Sequence, residues 1–111
     1  TSQKWPKSED PRKKIGLAQE VQLARFKGSG IFYNSEIDYK NIDKYCVLSR
    51  EADELLDKVT SAKSLSMRAY HKIKKLARTI ADMDGSGTIN EQHVAEAVGL
   101  RINDKLASDL V

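Results

Sequence analysis

The stretch Leu65-Ser66-Met67-Arg68-Ala69-Tyr70-His71-Lys72-Ile73, continued by Ala77-Arg78-Thr79-Ile80-Ala81-Asp82, by Gly85-Ser86 and by Ile89-Asn90-Glu91-Gln92-His93-Val94-Ala95-Glu96-Ala97, decides the fold. Ser66 is a side-chain acceptor set before apolar residues at helical spacing: Ala69, Ile73, Leu76, Ala77 and Ile80. Gly85 closes that helix, because only glycine takes the left-handed conformation without a Cβ penalty. Asn90 opens a second helix that turns Val94, Ala97 and Val98 inward. Leu65 with Tyr70, and Ile89 with Val94, are apolar pairs placed to staple the starts of both helices. Arg68 then falls in the opening turn of the first of these helices, where unpaired amides and the helix dipole disfavour a cation by about 0.3 to 1 kcal/mol unless an anion arrives from outside. A phosphate is the natural anion for such a corner.

Working outward, Asp10-Pro11 starts an earlier helix that runs to near Gly28, with Ile15, Ala18, Val21, Gln22 and Arg25 on its expected inner face and Leu17, Ala24 and Phe26 beside it. Gly28-Ser29-Gly30 breaks the pattern, and Ile31-Phe32-Tyr33-Asn34 fits either strand or loop. A short helix is expected across Tyr39 to Tyr45. Ser49 caps the next helix, whose Ala52, Leu55, Leu56 and Val59 share one face, with Lys58 and Lys63 toward the C-terminal end that favours cations. The expected architecture is an all-α bundle of four to five helices, with a flexible segment at 1–9, a helical domain at 10–101 and a tail at 102–111.

Size and composition agree with one modest helical domain: 111 residues, 40% hydrophobic and 32% charged. No apolar run approaches the ~20 residues of a membrane span, so no membrane partner is expected. The opening Thr1-Ser2-Gln3-Lys4-Trp5-Pro6 has neither Met nor a signal core and reads as the cut edge of a longer chain. With Cys46 alone no internal disulfide can form, which suits the cytoplasm. The net charge of +3 gathers at Lys4 to Lys14 and along Lys72, Lys74, Lys75 and Arg78, cations that would meet nucleic-acid phosphates or simply form a solvated face.

Asp82-Met83-Asp84-Gly85-Ser86-Gly87-Thr88-Ile89 matches the first eight positions of an EF-hand loop, with Asp82, Asp84 and Ser86 as oxygen ligands. Position twelve is His93, a nitrogen donor where Ca²⁺ needs a bidentate carboxylate. The same residues serve equally as a helix C-cap, a turn and an N-cap, so a single degenerate calcium-binding module is the alternative reading and no metal is expected. His71 and His93 lack zinc partners and are expected at the surface or behind another ligand. Cys46 and the aromatics Phe26, Phe32, Tyr33, Tyr45 and Tyr70 are expected to pack in the core rather than to react or stack on bases. No Gly-x-x-x-x-Gly-Lys-Ser/Thr loop is present, so this chain is not expected to hydrolyse ATP by itself.

The pattern Leu-Ser-x-Arg-Ala-Tyr-x-x-Ile-x-x-x-Ala-Arg-Thr-Ile-Ala-Asp-x-x-Gly-Ser-x-x-Ile-x-x-x-His-x-x-Glu-Ala resembles the C-terminal domain of the magnesium-chelatase-related AAA+ ATPases, the ComM/YifB competence-protein group. Arg12, Ile15, Ala18, Gln22, Arg25, Asn34, Cys46, Leu48, Leu55 and Leu56 extend the likeness, which spans roughly Ser8 to Arg101. The resemblance implies a helical lid in which Arg68 is the sensor-2 arginine contacting nucleotide phosphate, with Arg12 and Arg25 as weaker cofactor-facing candidates. It further implies ATP and Mg²⁺ held mainly by an upstream AAA+ core, a homo-hexameric ring, and work on DNA such as branch migration in competence, rather than tetrapyrrole metallation. Lys72, Lys74 and Lys75, a more polar first helix and the Asp-x-Asp-Gly turn depart from the family pattern. A basic helical domain that touches DNA directly is a further alternative.

Overall fold

The computed structural model describes residues 11–110. The expected segment 1–9, the Asp10 cap and the first part of the basic cluster at Lys4 to Lys14 lie outside the described residues. The described chain forms five α-helices: α1 (Pro11–Arg25), α2 (Ile42–Tyr45), α3 (Arg50–Ala62), α4 (Met67–Met83) and α5 (Glu91–Leu110), with a 3₁₀ turn at Asn34–Glu36. The link Ile31 to Asn34, open to strand or loop from its sequence, is irregular and leads into that turn. Segment 102–111, expected as a tail, continues α5 as far as Leu110. Among the described residues no helix is long and apolar enough to cross a membrane.

The caps lie where the serines and glycines put them. Ser49 Oγ accepts from the Ala52 amide and Ser66 Oγ from the Ala69 amide, each at 3.1 Å. α4 ends as a Schellman turn: Gly85 sits at φ +70, its amide bonds the Asp82 carbonyl, and the Ser86 amide reaches back to the Ala81 carbonyl. The chain then pairs briefly with the segment before α3, Ile89 N–H donating to the Val47 carbonyl and Ser49 N–H to the Ile89 carbonyl. This bridge fixes the starts of α3 and α5 side by side.

α4 is the central helix, packed against α5, α1, α2 and the 3₁₀ turn, while α3 packs on α5. The core is Ile73, Ala77, Ile80 and Ala81 of α4 with Phe26, Ile37, Ile42, Cys46, Ala52, Leu56, Ile89, Val94 and Ala97. Leu55, Leu65, Tyr70, Leu76 and Val98 pack against its margin. α1 meets its expected inner face only in part, at Ala18 and Gln22. Its buried residues are Lys14, Ala18 and Gln22, followed by Phe26 just past its end, whereas Ile15, Leu17 and Val21 are 49%, 52% and 41% exposed. Polar groups, not an apolar stripe, set which side of this helix faces the bundle.

Candidate functional site

Two charged regions lie on α4, toward its opposite ends. The first is a buried hub at its C-terminal half. Asp82 accepts from both terminal nitrogens of Arg25, at 2.6 and 2.8 Å, and from Asn34 Nδ2 at 2.9 Å. Arg78 lies one helical turn back, its Nε 3.2 Å from Asp82 Oδ1 in ion-pair contact but at an angle too poor for a hydrogen bond. Its other nitrogens donate to the carbonyls of Ser86 and Gly87, at 2.6 and 3.0 Å. Asn34 completes the set: its Oδ1 accepts from Arg25, its Nδ2 also reaches Thr79 Oγ1, and its amide donates to Gln22 Oε1. The hub therefore joins α1, the 3₁₀ turn, α4 and the loop before α5. Burial draws Arg78 below the ordinary guanidinium value; the Asp82 charge opposes this and the Arg25 charge adds to it.

This geometry changes several expectations. Arg25, a candidate for contact with nucleotide, is instead the strut that draws the polar face of α1 inward, through its bidentate pairing with Asp82 and its bond to Asn34. Arg12 lies exposed near the start of α1. The oxygen donors of the calcium reading do not converge: Asp82 faces guanidinium groups, Asp84 Oδ2 lies 3.0 Å from His93 Nε2, and Ser86 Oγ donates to the Thr88 carbonyl. Among the described residues no group of three His, Cys, Asp or Glu side chains is placed to hold a metal ion. His93, expected at the surface or behind another ligand, is 1% exposed and not at the surface. Its Nδ1 accepts from the Asn90 amide while its own amide donates to Asn90 Oδ1, a reciprocal cap in which histidine replaces the usual Glu or Gln. Nε2 is thereby the nitrogen that donates to Asp84.

The basic run from Lys72 to Arg78 is divided by helical phase. Lys74 and Arg78 are 5% and 2% exposed, whereas Lys72 faces solvent and Lys75 is half-buried. Lys74 Nζ reaches out to Asp43 Oδ1 at 2.8 Å and lies 5.2 Å from the Tyr70 ring centroid. The hydrogen bond and charge of Lys74 hold the Asp43 carboxyl below its usual value. Cys46 is buried as expected, and burial raises its thiol. Phe26 is in the core, but Phe32 and Tyr33, expected with it, are exposed.

The second region is the N-terminal half of α4. Arg68 is exposed in the first turn. Among the described residues neither Glu51, Asp53 nor any other carboxylate forms an ion pair with it. Ser66 satisfies the Ala69 amide by its side chain and the Tyr70 amide by its carbonyl, leaving the amides of Met67 and Arg68 at the open helix end. Arg68 lines a groove of about 720 Å³ together with Ile37, Tyr39, Ile42, His71, Lys72 and Lys75. Asp38, the carboxylate of this lining, is turned to Asn41, accepting from its amide and from Nδ2. A groove at a helix start that sets Arg68, Lys72 and Lys75 against one carboxylate, Asp38, suits a phosphate-bearing ligand.

Comparison with known proteins places this architecture. Residues 6–101 match the family described as Magnesium chelatase, subunit ChlI C-terminal. The chain is 34% identical over 110 residues to Competence protein ComM of Haemophilus influenzae, covering 99% of this chain and 21% of that protein. It is 36% identical over 95 residues to the uncharacterized protein YifB of Salmonella typhimurium and 40% identical over 95 residues to YifB of Escherichia coli, in each case covering 86% of this chain and 18% of the relative. The chain thus spans about a fifth of the length of the curated relatives it matches. It belongs to the magnesium chelatase subunit ChlI C-terminal family, as the C-terminal domain of the ComM/YifB-related group.

Proposed function

We propose that this domain is the helical lid of a magnesium-chelatase-related AAA+ ATPase and that Arg68 is its sensor-2 residue, coupling nucleotide state in the parent protein to work on DNA. The carrying observation is Arg68 itself: an exposed guanidinium, without a carboxylate partner among the described residues, at the start of α4 on a groove that it shares with the exposed Lys72 and the half-buried Lys75. ATP with Mg²⁺, held mainly by an upstream AAA+ core, supplies the phosphoryl group. Arg68 donates to its phosphate oxygens, in bidentate fashion where the approach allows, and so links the angle of the lid to the presence of the γ-phosphate. Arg25, engaged with Asp82, keeps α1 fixed to α4 rather than sharing that role. In the assembled parent, read as a homo-hexamer, each lid would respond to one nucleotide.

The test is Arg68→Ala in the full-length parent protein. A hydrogen bond to a charged group contributes about 1.5 to 3 kcal/mol, so ATP turnover should fall roughly 10- to 150-fold at 1.36 kcal/mol per decade. Arg68→Lys, which keeps charge but not the fork, should recover part of the loss. Unchanged turnover in Arg68→Ala would remove the assignment.

A further inference from the structure

The face of α4 beyond Arg68 carries a second basic feature. Lys72 and Lys75 line the Arg68 groove, and they also line a neighbouring groove of about 360 Å³ formed with Ser35, Leu76, Thr79 and Arg101. Helical phase brings this about. Lys74 and Arg78 turn inward to Asp43 and Asp82, while residues 68, 72, 75 and 79 follow one outer face. Along that face Lys72 and Lys75 are three residues apart, about 4.5 Å at 1.5 Å per residue, and Arg101 of α5 adds a third cation across the second groove. Among the described residues Lys72 has no ion pair, and Lys75 has a 3.3 Å contact to the Ser35 carbonyl, which leaves its charge unneutralised. Of the carboxylates nearby, Asp43 is paired with Lys74, and Asp38 lines the first groove bonded to the neutral Asn41, keeping its charge there. Tyr39, 70% exposed, lines the first groove together with Ile37 and Ile42.

We propose that this face binds a strand of nucleic acid, Lys72, Lys75 and Arg101 following successive phosphates and Tyr39 stacking on a base. This rests on the reading that the parent acts on DNA, and it names the surface through which the lid itself would take part. Three features select the ligand. The row's three cations are spread over two adjoining grooves, so a polyanion matches it better than a single ion. These three cations face one carboxylate, Asp38, among the groove-lining residues, so net positive charge remains. An exposed aromatic beside a basic groove suits unstacked bases, which every single strand offers. Arg68, at the helix start, is left to the nucleotide.

The experiment is fluorescence anisotropy of fluorescein-labelled dT20 titrated with the 111-residue chain between 50 and 200 mM NaCl. Engagement of three cations predicts a slope of log affinity against log salt of about −2, and a Kd on the order of 10⁻⁴ M at low salt. Lys72→Glu with Lys75→Glu should weaken binding at least about tenfold and reduce the slope by roughly 1.4. Tyr39→Ala should cost roughly 5- to 150-fold with the slope unchanged. If the double variant loses its helical circular dichroism, Lys72→Glu alone, at an exposed position, decides with an expected loss of about threefold or more. Binding that survives these changes overturns the proposal. So does displacement of dT20 by ATP at equal phosphate concentration, which would make this a nucleotide site only, and so does a charge-dependent self-association in sedimentation, which would make the partner an acidic surface of a second copy. Hydrolysis plays no part in the measurement, so its outcome is separate from that of Arg68→Ala in the parent enzyme.

Discussion

Removing Asp82 tests the central structural claim, that its carboxylate is the anion around which α1 and the turn after α4 are assembled. In Asp82→Ala two guanidiniums remain facing one another, Arg78 with a side chain 2% exposed and Arg25 with one 17% exposed, and Asn34 Nδ2 loses one of its two acceptors. Leaving buried charge uncompensated costs about 3 to 5 kcal/mol, a large share of the roughly 5 to 15 kcal/mol that stabilises an ordinary domain. At a urea m-value of about 1.5 kcal/mol/M the unfolding midpoint should fall by roughly 2 to 3 M. Asp82→Asn keeps the shape and one acceptor oxygen, so an intermediate loss is expected and the measurement survives even if the alanine variant does not fold. Crossing Asp82→Asn with Arg25→Met isolates the pair, with a coupling of about 1 to 3 kcal/mol. A loss below about 1 kcal/mol for Asp82→Ala at constant m, or a coupling near zero, would refute the hub as a source of stability.

The remaining expectations are narrower. His93→Ala should lower stability by about 1 to 2 kcal/mol through the lost acceptor for the Asn90 amide and the lost contact to Asp84. His93→Gln, which restores an acceptor at that helix position, should recover part of this in urea unfolding; a glutamine no better than alanine would reject the capping role. Cys46 should resist Ellman's reagent in the native chain at pH 8 and react only as the chain unfolds, since burial both shields its thiol and raises its pKa. The native state keeps the thiol proton that the unfolded chain releases near pH 8.5. The contribution of Cys46 is therefore present below that pH and lost as pH rises through the native value, so stability measured from pH 7 to 10 should decline and Cys46→Ala should flatten the upper limb.

Much of the helical architecture follows from local patterning. The serine caps, the glycine C-cap and the apolar stripes of α3, α4 and α5 are short-range features that a linear reading captures, because capping and periodicity act within a turn or two. The hub is hidden from such a reading because its decisive pair is 57 residues apart, and long-range pairing leaves no periodic mark. A partial signal exists: Arg78 and Asp82 are spaced i, i+4 and share the inward phase of α4 with Ala77 and Ala81, so that one face carries both charge and apolar residues. The inner face of α1 is legible only in part: Ala18, Gln22 and Arg25 turn inward as expected, whereas Ile15 and Val21 do not. Apolar spacing favours Ile15 and Val21, but the Gln22 and Arg25 contacts to Asn34 and Asp82 set the rotation of the helix. The burial of His93 is equally invisible, because its role depends on Asn90 folding back upon it, and histidine is an unusual residue at that position of the cap.

The division of charge along α4 makes stability and function separable. Arg68 and Arg78 are ten residues apart on one helix, about 15 Å at 1.5 Å per residue, far enough that their substitutions should add without coupling. Arg68 is exposed and its removal should leave the unfolding free energy within about 0.5 kcal/mol of the original, whereas Asp82→Asn should lower it. A rigid α4 then carries any force on Arg68 to α1 and α5 through packing already satisfied in its other half. If Arg68→Ala unfolded the domain as readily as Asp82→Ala, the guanidinium would be a structural group after all, and its exposure at the helix start would no longer argue for a ligand. If it abolished turnover in the parent while leaving the fold intact, the cation would be one that the fold tolerates for the sake of an anion delivered from elsewhere.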